Sequence, residues 1–457
     1  MKITLKEISS ALGAELYGNG EKVITEVSFD SRACKDGTLF AALKGEKRDG
    51  HEFIPSLLGS GAAVLCSVRP QCDIDAVVTD DVLSALSRLA AWYKQNKCNI
   101  EKTVAITGSV GKTTTKDITA CVLSKGFNTH KTHGNYNNNI GVPMTLFGLS
   151  EEHEALVCEM GMSGFDEIRP LSNIARPDIA MITNIGTSHI EKLGSRENIC
   201  KAKFEIVSGM KNDGVLILNG DEPLLRVAAR KYADGRRVIF AGLEPENDVY
   251  AKDIKTGETT RFNIIYKDKA YPAELFVPGE HNVLNALFAF CAGVECGIEP
   301  EIAASAAVDF RSEGMRQNVI QKDGISVMVD CYNASRESMC ASLKVFCSTT
   351  YKAKRKIAVL GEMLELGEMS RQYHLDVGVC VAQNRPDMLF TLGAAREIQN
   401  GAVENGYPAE SCRWFEDKNE LYNALCETIC DGDMVLFKAS HGIRLEEIII
   451  KLGFEIK

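Results

Sequence analysis

The sequence predicts an α/β protein built as several domains, each around its own sheet. Three observations carry that expectation. The chain has 457 residues, more than one ordinary hydrophobic core serves, so two or three domains are expected. Short apolar runs alternate with longer helical ones, the pattern of a mostly parallel sheet with helices on both faces. One such run leads directly into a glycine turn, "TGSVGKTT" (107–114), that opens a helix.

Taken in order, residues 1–98 read as a small α/β domain. "TLFAALKG" (38–45) and "AAVLCSV" (62–68) are its strand candidates, and "SALSRLAAWYKQNK" (84–97) has helical apolar spacing. "KCNIEK" follows as a linker. Residues 99–312 form a second domain with strands expected at 103–107, 154–160, 178–185 and 214–220. Two helices are expected within it, at 196–210 and at 281–297, the latter ending on Gly297. Residues 313–457 repeat the style, with strands expected at 325–333, 356–362, 387–393 and 433–440. Helical stretches such as "SMCASLKVF" (338–346) and "ELYNALCETI" (420–429) separate them.

Composition narrows the function. The chain is 45% hydrophobic and 25% charged, with net charge -10, so it reads as soluble and not as a nucleic-acid binder. No run nears the roughly 18 apolar residues of a membrane span. The start, "MKITLKEISSALGAEL", lacks the apolar region of a signal peptide. The sixteen cysteines are scattered, several in apolar runs such as "AAVLCS" and "ALVCEM". They are expected as free core residues in a reducing cytoplasm, with no disulfide and no structural zinc.

The glycine turn is where chemistry enters. Gly108 and Gly111 let backbone amides approach an anion. Lys112 brings a charge to the β/γ-phosphates, and Thr113 offers a hydroxyl to Mg²⁺ at a helix N-terminus. Thr107, Ser109, Val110 and Thr114 complete the loop. Ile106 stands where the longer Walker pattern has glycine. In open parallel sheets ligands sit at the carboxyl ends of strands. Glu159 ends one expected strand; Asn184, Gly186 and His189 follow another. Lys201 and Lys203 lie two apart on a helix, so only one can face that edge.

These stretches together resemble the Mur ligase family of peptidoglycan synthesis, whose ATP loop is T-G-x-x-G-K-T-[ST]. Further resemblance runs through "DSRACKDGTLFAALKGEKRDGHEF" (30–53), "GNYNNNIGVPMTL" (134–146), "EMGMSGFDEI" (159–168) and "TNIGTSHIEKLGS" (183–195). It continues through "KAKFEI" (201–206), "PGEHNVLNALFA" (278–289), "DCYNASRESM" (330–339), "VLGEMLELGEMS" (359–370) and "LFKASHGIRLEEI" (436–448).

The resemblance implies three domains: one for the UDP end of a nucleotide-sugar peptide, a central P-loop ATPase-like domain, and a C-terminal Rossmann-like domain. It implies an ATP- and Mg²⁺-dependent amide ligase. ATP would phosphorylate the carboxylate of UDP-N-acetylmuramoyl-tripeptide, and the amine of D-alanyl-D-alanine would attack the acyl-phosphate. Lys112, Glu159, His189 and Lys203 are the implied catalytic residues. Thr113, Glu159, His189 and Lys203 form the implied metal site, with Lys203 carbamylated. Asn219, His281, Asn282 and Asn285 are implied around adenine and ribose, and Arg316 and Asp330 as third-domain contacts to ATP. Ser31 and Arg32 are implied at the uridine-diphosphate end, and Asn137 and Asn138 in a substrate loop. A monomer with no nucleic-acid partner and no membrane span is expected.

Glu362, Ala439, His441, Ser335 and Arg336 depart from the family's usual residues, all in the third domain. Two alternatives are a sibling ligase adding another amino acid and a non-catalytic P-loop nucleotide binder. The chain has no NKxD of a GTPase.

Overall fold

The computed structural model describes residues 1–45, 47–257, 259–312, 314–348 and 353–456. The expected boundary at 312/313 abuts Glu313, which lies outside the described residues. Three sheets of five, nine and six strands, with a two-stranded ladder at the N-terminus, carry the architecture.

Seven strands belong to the N-terminal part: β1 (Ile3–Thr4), β2 (Glu15–Tyr17), β3 (Val23–Ile24), β4 (Glu26–Ser28), β5 (Thr38–Ala41), β6 (Ala63–Cys66) and β7 (Ala76–Val78). The β1–β3 ladder is antiparallel, and the five-stranded order is β2-β7-β6-β5-β4. The first helix, Leu5–Leu12, starts at a capping box. The Thr4 hydroxyl accepts from the Glu7 amide, and the Glu7 carboxylate accepts from the Thr4 amide. Helix Val82–Lys97 closes this part. Its Lys94 donates to Thr103 Oγ1 at 2.8 Å and to the Ala175 carbonyl, pinning it to the central domain.

The central sheet contains β8 (Lys102–Thr107), β9 (Thr129–Lys131), β10 (Ala155–Glu159), β11 (Ile179–Ile182), β12 (Val215–Asn219), β13 (Arg237–Gly242), β14 (Val249–Thr256), β15 (Thr260–Tyr266) and β16 (Lys269–Leu275). Its order is β16-β15-β14-β13-β12-β11-β8-β10-β9. The strands from β9 to β14 are parallel, as expected, and β15 and β16 extend the sheet as an antiparallel edge. That edge is not evident in the sequence, because its β15–β16 turn uses Lys267 and Asp268 at positive φ instead of Asn-Gly. Helix Glu280–Glu295 is apolar nearly all round because it lies sandwiched, against this sheet and against helix Lys112–Leu123. It ends where Gly297 takes φ +95°.

The C-terminal sheet contains β17 (Asn318–Lys322), β18 (Ile325–Val329), β19 (Arg355–Leu360), β20 (Met388–Leu392), β21 (Cys412–Phe415) and β22 (Asp433–Lys438), in order β17-β18-β22-β19-β20-β21. Only the β17–β18 pair is antiparallel.

Two expectations need correction. The helix expected over 196–210 is α-helical only over Arg196–Lys203 and tightens to a 3₁₀ turn over Phe204–Gly209. The cysteines are not all free. Cys340 on helix Arg336–Ser348 is disulfide-bonded to Cys380 on helix Ser370–Asn384. The two lie 40 residues apart in sequence, so no spacing motif announces a pair that tertiary packing brings together. Cys66, Cys158 and Cys291 are free and buried, as expected. Among the described residues no helix is long and apolar enough to cross a membrane.

Candidate active site

The carboxyl ends of β8, β10 and β11 open into a cleft of about 420 Å³, closed on its far side by the C-terminal domain. The phosphate loop forms its floor. Gly108 has φ +154° and Gly111 φ +82°. A Cβ at Gly108 would collide with Thr183 Oγ1, and one at Gly111 would come within 2.7 Å of Asn285 Oδ1. Glycine is needed there on both counts. The loop is braced by a residue the motif does not contain. Asn184 Oδ1 accepts from the Ser109 amide at 3.0 Å and the Val110 amide at 2.9 Å. Thr183 Oγ1 donates to the Val110 carbonyl at 2.7 Å. Lys112 Nζ donates to the Gly108 carbonyl at 2.8 Å. Burial lowers the Lys112 pKa, opposed by Glu159 and reinforced by Arg316.

Glu159 ends β10 with 1% of its surface exposed. One carboxylate oxygen accepts from the Thr113 hydroxyl at 2.9 Å and the other from Asn137 Nδ2 at 2.8 Å. The loop threonine, the strand-end carboxylate and the asparagine loop thus form one unit. Asn138 Oδ1 accepts the Ile140 and Gly141 amides and shapes that loop. His189 caps a short helix at φ +63°. Its Nδ1 faces the Glu365 carboxylate of the third domain. Burial lowers its pKa; Glu365 opposes this, and the charges of Lys112 and Lys203 add to it.

Lys203 is 2% exposed and, among the described residues, has no hydrogen-bond or ion-pair partner. Burial and Lys112 push its pKa well below the usual lysine range. Lys201 is exposed, with its amine over the Phe165 ring. The helix therefore turns one lysine inward and the other out, as the spacing requires.

The far end of the cleft is polar and networked. Thr115 Oγ1 donates to Asn285 Oδ1 at 3.1 Å, and Asn285 Nδ2 donates to Asn282 Oδ1 at 3.3 Å. Asn282 Nδ2 and His281 Nε2 both meet Gln317 Oε1. Burial lowers the His281 pKa, with Gln317 opposing it. The Arg316 guanidinium lies 4.0 Å from the Tyr332 ring centroid, and His441 stacks on the same ring. Asp330 Oδ2 accepts from Lys438 Nζ at 2.8 Å and from the Ser342 hydroxyl.

Of the residues singled out from the sequence, Ser109 to Thr114, Asn137, Asn138, Glu159, His189, His281, Asn282, Asn285, Arg316 and Asp330 line this cleft. Thr107 and Gly108 lie just behind it in the strand end and turn, and Lys203 is buried beside it. Three residues are not brought there. Asn219, at the end of β12, accepts the Asp221 amide and is absent from the lining. Ser31 and Arg32 sit on the N-terminal domain, where Arg32 forks onto the Asp30 carboxylate. Asn184, Gln317, Glu337 and Lys438 line the cleft without having been assigned a role. Only Asn184 carried a signal, its place at the end of an apolar strand.

The departures in the third domain have local explanations. Glu362 accepts the Ala394 amide at 2.8 Å. Ala439 is buried, Ser335 caps the following helix turn, and Arg336 pairs with Asp376 at 3.0 Å.

A phosphate loop at the end of a parallel sheet, facing another α/β domain across a cleft, defines a nucleotide-phosphate site between two domains. The chain belongs to the Mur ligase family. It matches the "Mur ligase family, catalytic domain" over residues 23–94 and the "Mur ligase middle domain" over 106–293. It matches the "Mur ligase, glutamate ligase domain" over 315–441. It is 39% identical to the UDP-N-acetylmuramoyl-tripeptide–D-alanyl-D-alanine ligase of Bacillus subtilis (strain 168), covering 98% of each chain. It is 31% identical to the ligase of the same name from Escherichia coli (strain K12), again over 98% of each. The crystal structure of MurF from Acinetobacter baumannii superposes with a TM-score of 0.90 at 29% identity, over 99% of each chain. MurF ligase from Thermotoga maritima in complex with ADP gives 0.81 at 29% identity, over 93% of this chain and 96% of that one.

Proposed function

We propose that the protein joins D-alanyl-D-alanine to UDP-N-acetylmuramoyl-tripeptide at the expense of ATP, in the cytoplasm, as a step of peptidoglycan precursor synthesis. The observation that carries this reading is the cleft itself, in a chain that aligns end to end with ligases of that name. It sets a phosphate loop opposite a third-domain wall, so two anionic reactants and an amine can meet between two protein surfaces.

A carboxylate is a poor electrophile towards an amine, because its oxygen is a poor leaving group. Transfer of the γ-phosphoryl group to the tripeptide carboxylate supplies a better one, and ADP leaves. The amine then attacks the carbonyl, a proton is lost from nitrogen, and phosphate departs. Lys112 screens phosphate against carboxylate, and the loop amides orient the phosphates. Thr113, Glu159 and His189 would hold Mg²⁺. Among the described residues no three His, Cys, Asp or Glu side chains form a ligand set unaided. The fit rests on the Thr113 hydroxyl and the Glu159 carboxylate, 2.9 Å apart at the loop, hard oxygen donors of the kind Mg²⁺ takes alongside water and phosphate. When bound, Mg²⁺ neutralises the β/γ-phosphate charge.

Lys203 would complete the site as a carbamate. A buried amine without a partner, its pKa pushed well below the usual lysine range, gives up its proton more readily; the free amine adds to CO₂ through a new N–C bond and releases a proton. The product is an anion beside Lys112 and His189. His281, Asn282, Asn285, Arg316 and Asp330 would surround the nucleotide, with Asn219 in an outer supporting place. Asn137 and Asn138 would shape the tripeptide side. Ser31 and Arg32 would meet the uridine-diphosphate end in a domain running to residue 98, with the third domain starting at 313. The chain would act as a monomer.

The test is phosphate release with ATP and Mg²⁺, adding the nucleotide tripeptide and the dipeptide singly and together. Release that needs both, with amide product, is expected. Release indifferent to both would sink the ligase reading.

A further inference from the structure

Two cleft carboxylates, Glu167 and Glu337, have no role in the scheme above, and one of them reaches across the cleft. Glu337, near the start of helix Arg336–Ser348, lines the cleft from the third domain. Its Oε2 accepts a hydrogen bond at 3.1 Å from the hydroxyl of Thr187, a central-domain residue only 3% exposed. A Cβ on the adjacent Gly186 would lie 3.1 Å from that same oxygen and 3.1 Å from Ser109 Cβ. The Gly186 amide donates to the Ser109 hydroxyl at 2.9 Å. The Glu337 carboxylate is therefore packed next to the phosphate loop, although it belongs to the opposite wall.

The other acidic residues lining the cleft, among the described residues, are engaged within their own walls. Glu159 holds Thr113 and Asn137. Glu167 accepts from the Ser163 amide and hydroxyl. Asp330 is paired with Lys438. Glu337 is the one of the four that spans the gap. It is supported from behind as well. Arg336 Nε lies 3.8 Å from Glu337 Oε1, and Arg336 Nη1 is bonded to Asp376. One helical turn further along both helices, Cys340 is bonded to Cys380. The helix carrying Glu337 is thus fastened to its neighbour by an ionic rung and a sulfur rung.

We infer that Glu337 is a positioning residue for the ligation, holding the third-domain wall against the phosphate loop through Thr187. The inference rests on the amide-forming reaction proposed above. An acyl-phosphate is consumed by whichever nucleophile reaches it, and a docked wall favours the bound amine over water. A carboxylate accepting from a buried hydroxyl is a charge-assisted contact, strong enough to bias docking.

The test uses the full chain as wild type, Glu337→Ala, Glu337→Gln, Thr187→Val and the Glu337→Ala/Thr187→Val double variant. Phosphate and amide are counted separately, with ATP, Mg²⁺ and both substrates. No amide from the wild type would refute the reaction assignment and not this inference. With amide present, Glu337→Ala is expected to raise the phosphate-to-amide ratio and to raise KM for the dipeptide about tenfold, the scale of one hydrogen bond to a charged group. Its melting temperature should stay that of the wild type. Glu337→Gln, whose amide oxygen can still accept from Thr187, should keep most of the coupling. Thr187→Val should match Glu337→Ala, and the double variant should be no worse than either. A wild-type ratio and KM in Glu337→Ala, or multiplying effects in the double variant, would overturn the inference. Should Glu337→Ala not fold, Thr187→Val carries the same readouts.

Discussion

The two walls of the cleft are built by different means. The central wall is made of strand ends. Thr113, Glu159 and Asn184 stand at the carboxyl edge of adjacent parallel strands, and short hydrogen bonds lock the loop to them. The third-domain wall also presents strand ends, Asp330 just after β18 and Lys438 closing β22, but it adds a helix and its side chains are held by pairing: Lys438 on Asp330, Arg336 on Asp376, Cys340 on Cys380, Arg316 on Tyr332. The first wall is rigid because backbone geometry fixes it. The second is held by charges and a crosslink, which suits a surface that must dock and release. Losses on the central wall should therefore fall on chemistry, and losses on the other wall on stability and docking.

The largest effect should come from the central wall. Lys112→Ala removes the loop charge and should cut turnover by about three orders of magnitude or more, the scale for losing a preorganised contact to a transferring group. The melting temperature should hold, since among the described residues the amine is hydrogen-bonded only to the Gly108 and Ser109 carbonyls. A variant that unfolds, or one with near-normal turnover, breaks the contrast.

At Asp330, which also faces the nucleotide side of the cleft, a loss of stability is expected in addition. Asp330→Ala leaves the Lys438 ammonium, which is 2% exposed, with only the Asn333 carbonyl and the backbone carbonyl of position 330 among the described residues, and should destabilise the third domain by about 3 kcal/mol. Asp330→Leu combined with Lys438→Met should recover much of that in denaturant titrations, since no charge is then left buried. If the double variant is as unstable as the single one, the wall depends on more than this pair.

Lys203→Ala returns the test to chemistry. Turnover should fall by about two orders of magnitude, and added acetate or formate should restore part of it by supplying the missing carboxylate. Stability should change little, because losing the buried methylenes is offset by removing a buried amine that has no partner among the described residues. Lack of rescue would leave the carbamate without support.

The same contrast decides what could be read beforehand. The phosphate loop, Glu159 and His189 are legible because a parallel sheet puts ligands at strand ends, and strand ends follow from short apolar runs. The alternation of strand and helix likewise reveals the three α/β units. Asn184 was visible as a position but not as a brace, since its two loop amides lie 75 and 74 residues away. The Lys438–Asp330 pair spans 108 residues and the Cys340–Cys380 bond 40. No local pattern encodes such separations, so Arg316 and Asp330 were named from the family resemblance alone, and the pairings that hold their wall were not. The β15–β16 hairpin escaped for another reason, a turn made of Lys267 and Asp268 where glycine would have signalled it.

The disulfide offers a milder test of the third wall. Cys340→Ser with Cys380→Ser opens a loop of 40 residues and should cost about 2–4 kcal/mol under oxidising conditions. Under reducing conditions the wild type should approach the variant. Equal denaturation midpoints for both proteins in oxidising buffer would remove the sulfur rung from the account.

The smallest effect tests how rigidly the central wall is founded. Lys94 lies at the junction with the N-terminal domain, bonded to Thr103 near the start of the strand that ends in the phosphate loop. Burial pushes its pKa from 10.5 down to about 8. Between those values the unfolded chain holds the proton and the folded chain does not. Unfolding then takes up a proton, so stability rises with pH across this window, by at most about 1.4 kcal/mol per pH unit. Lys94→Met lacks the titrating group. The difference in unfolding free energy, wild type minus Lys94→Met, should therefore grow between pH 8 and pH 10. A difference that stays flat would mean the amine is solvated in the folded chain, and the base of the phosphate-loop strand would then be a looser joint than its hydrogen bonds imply.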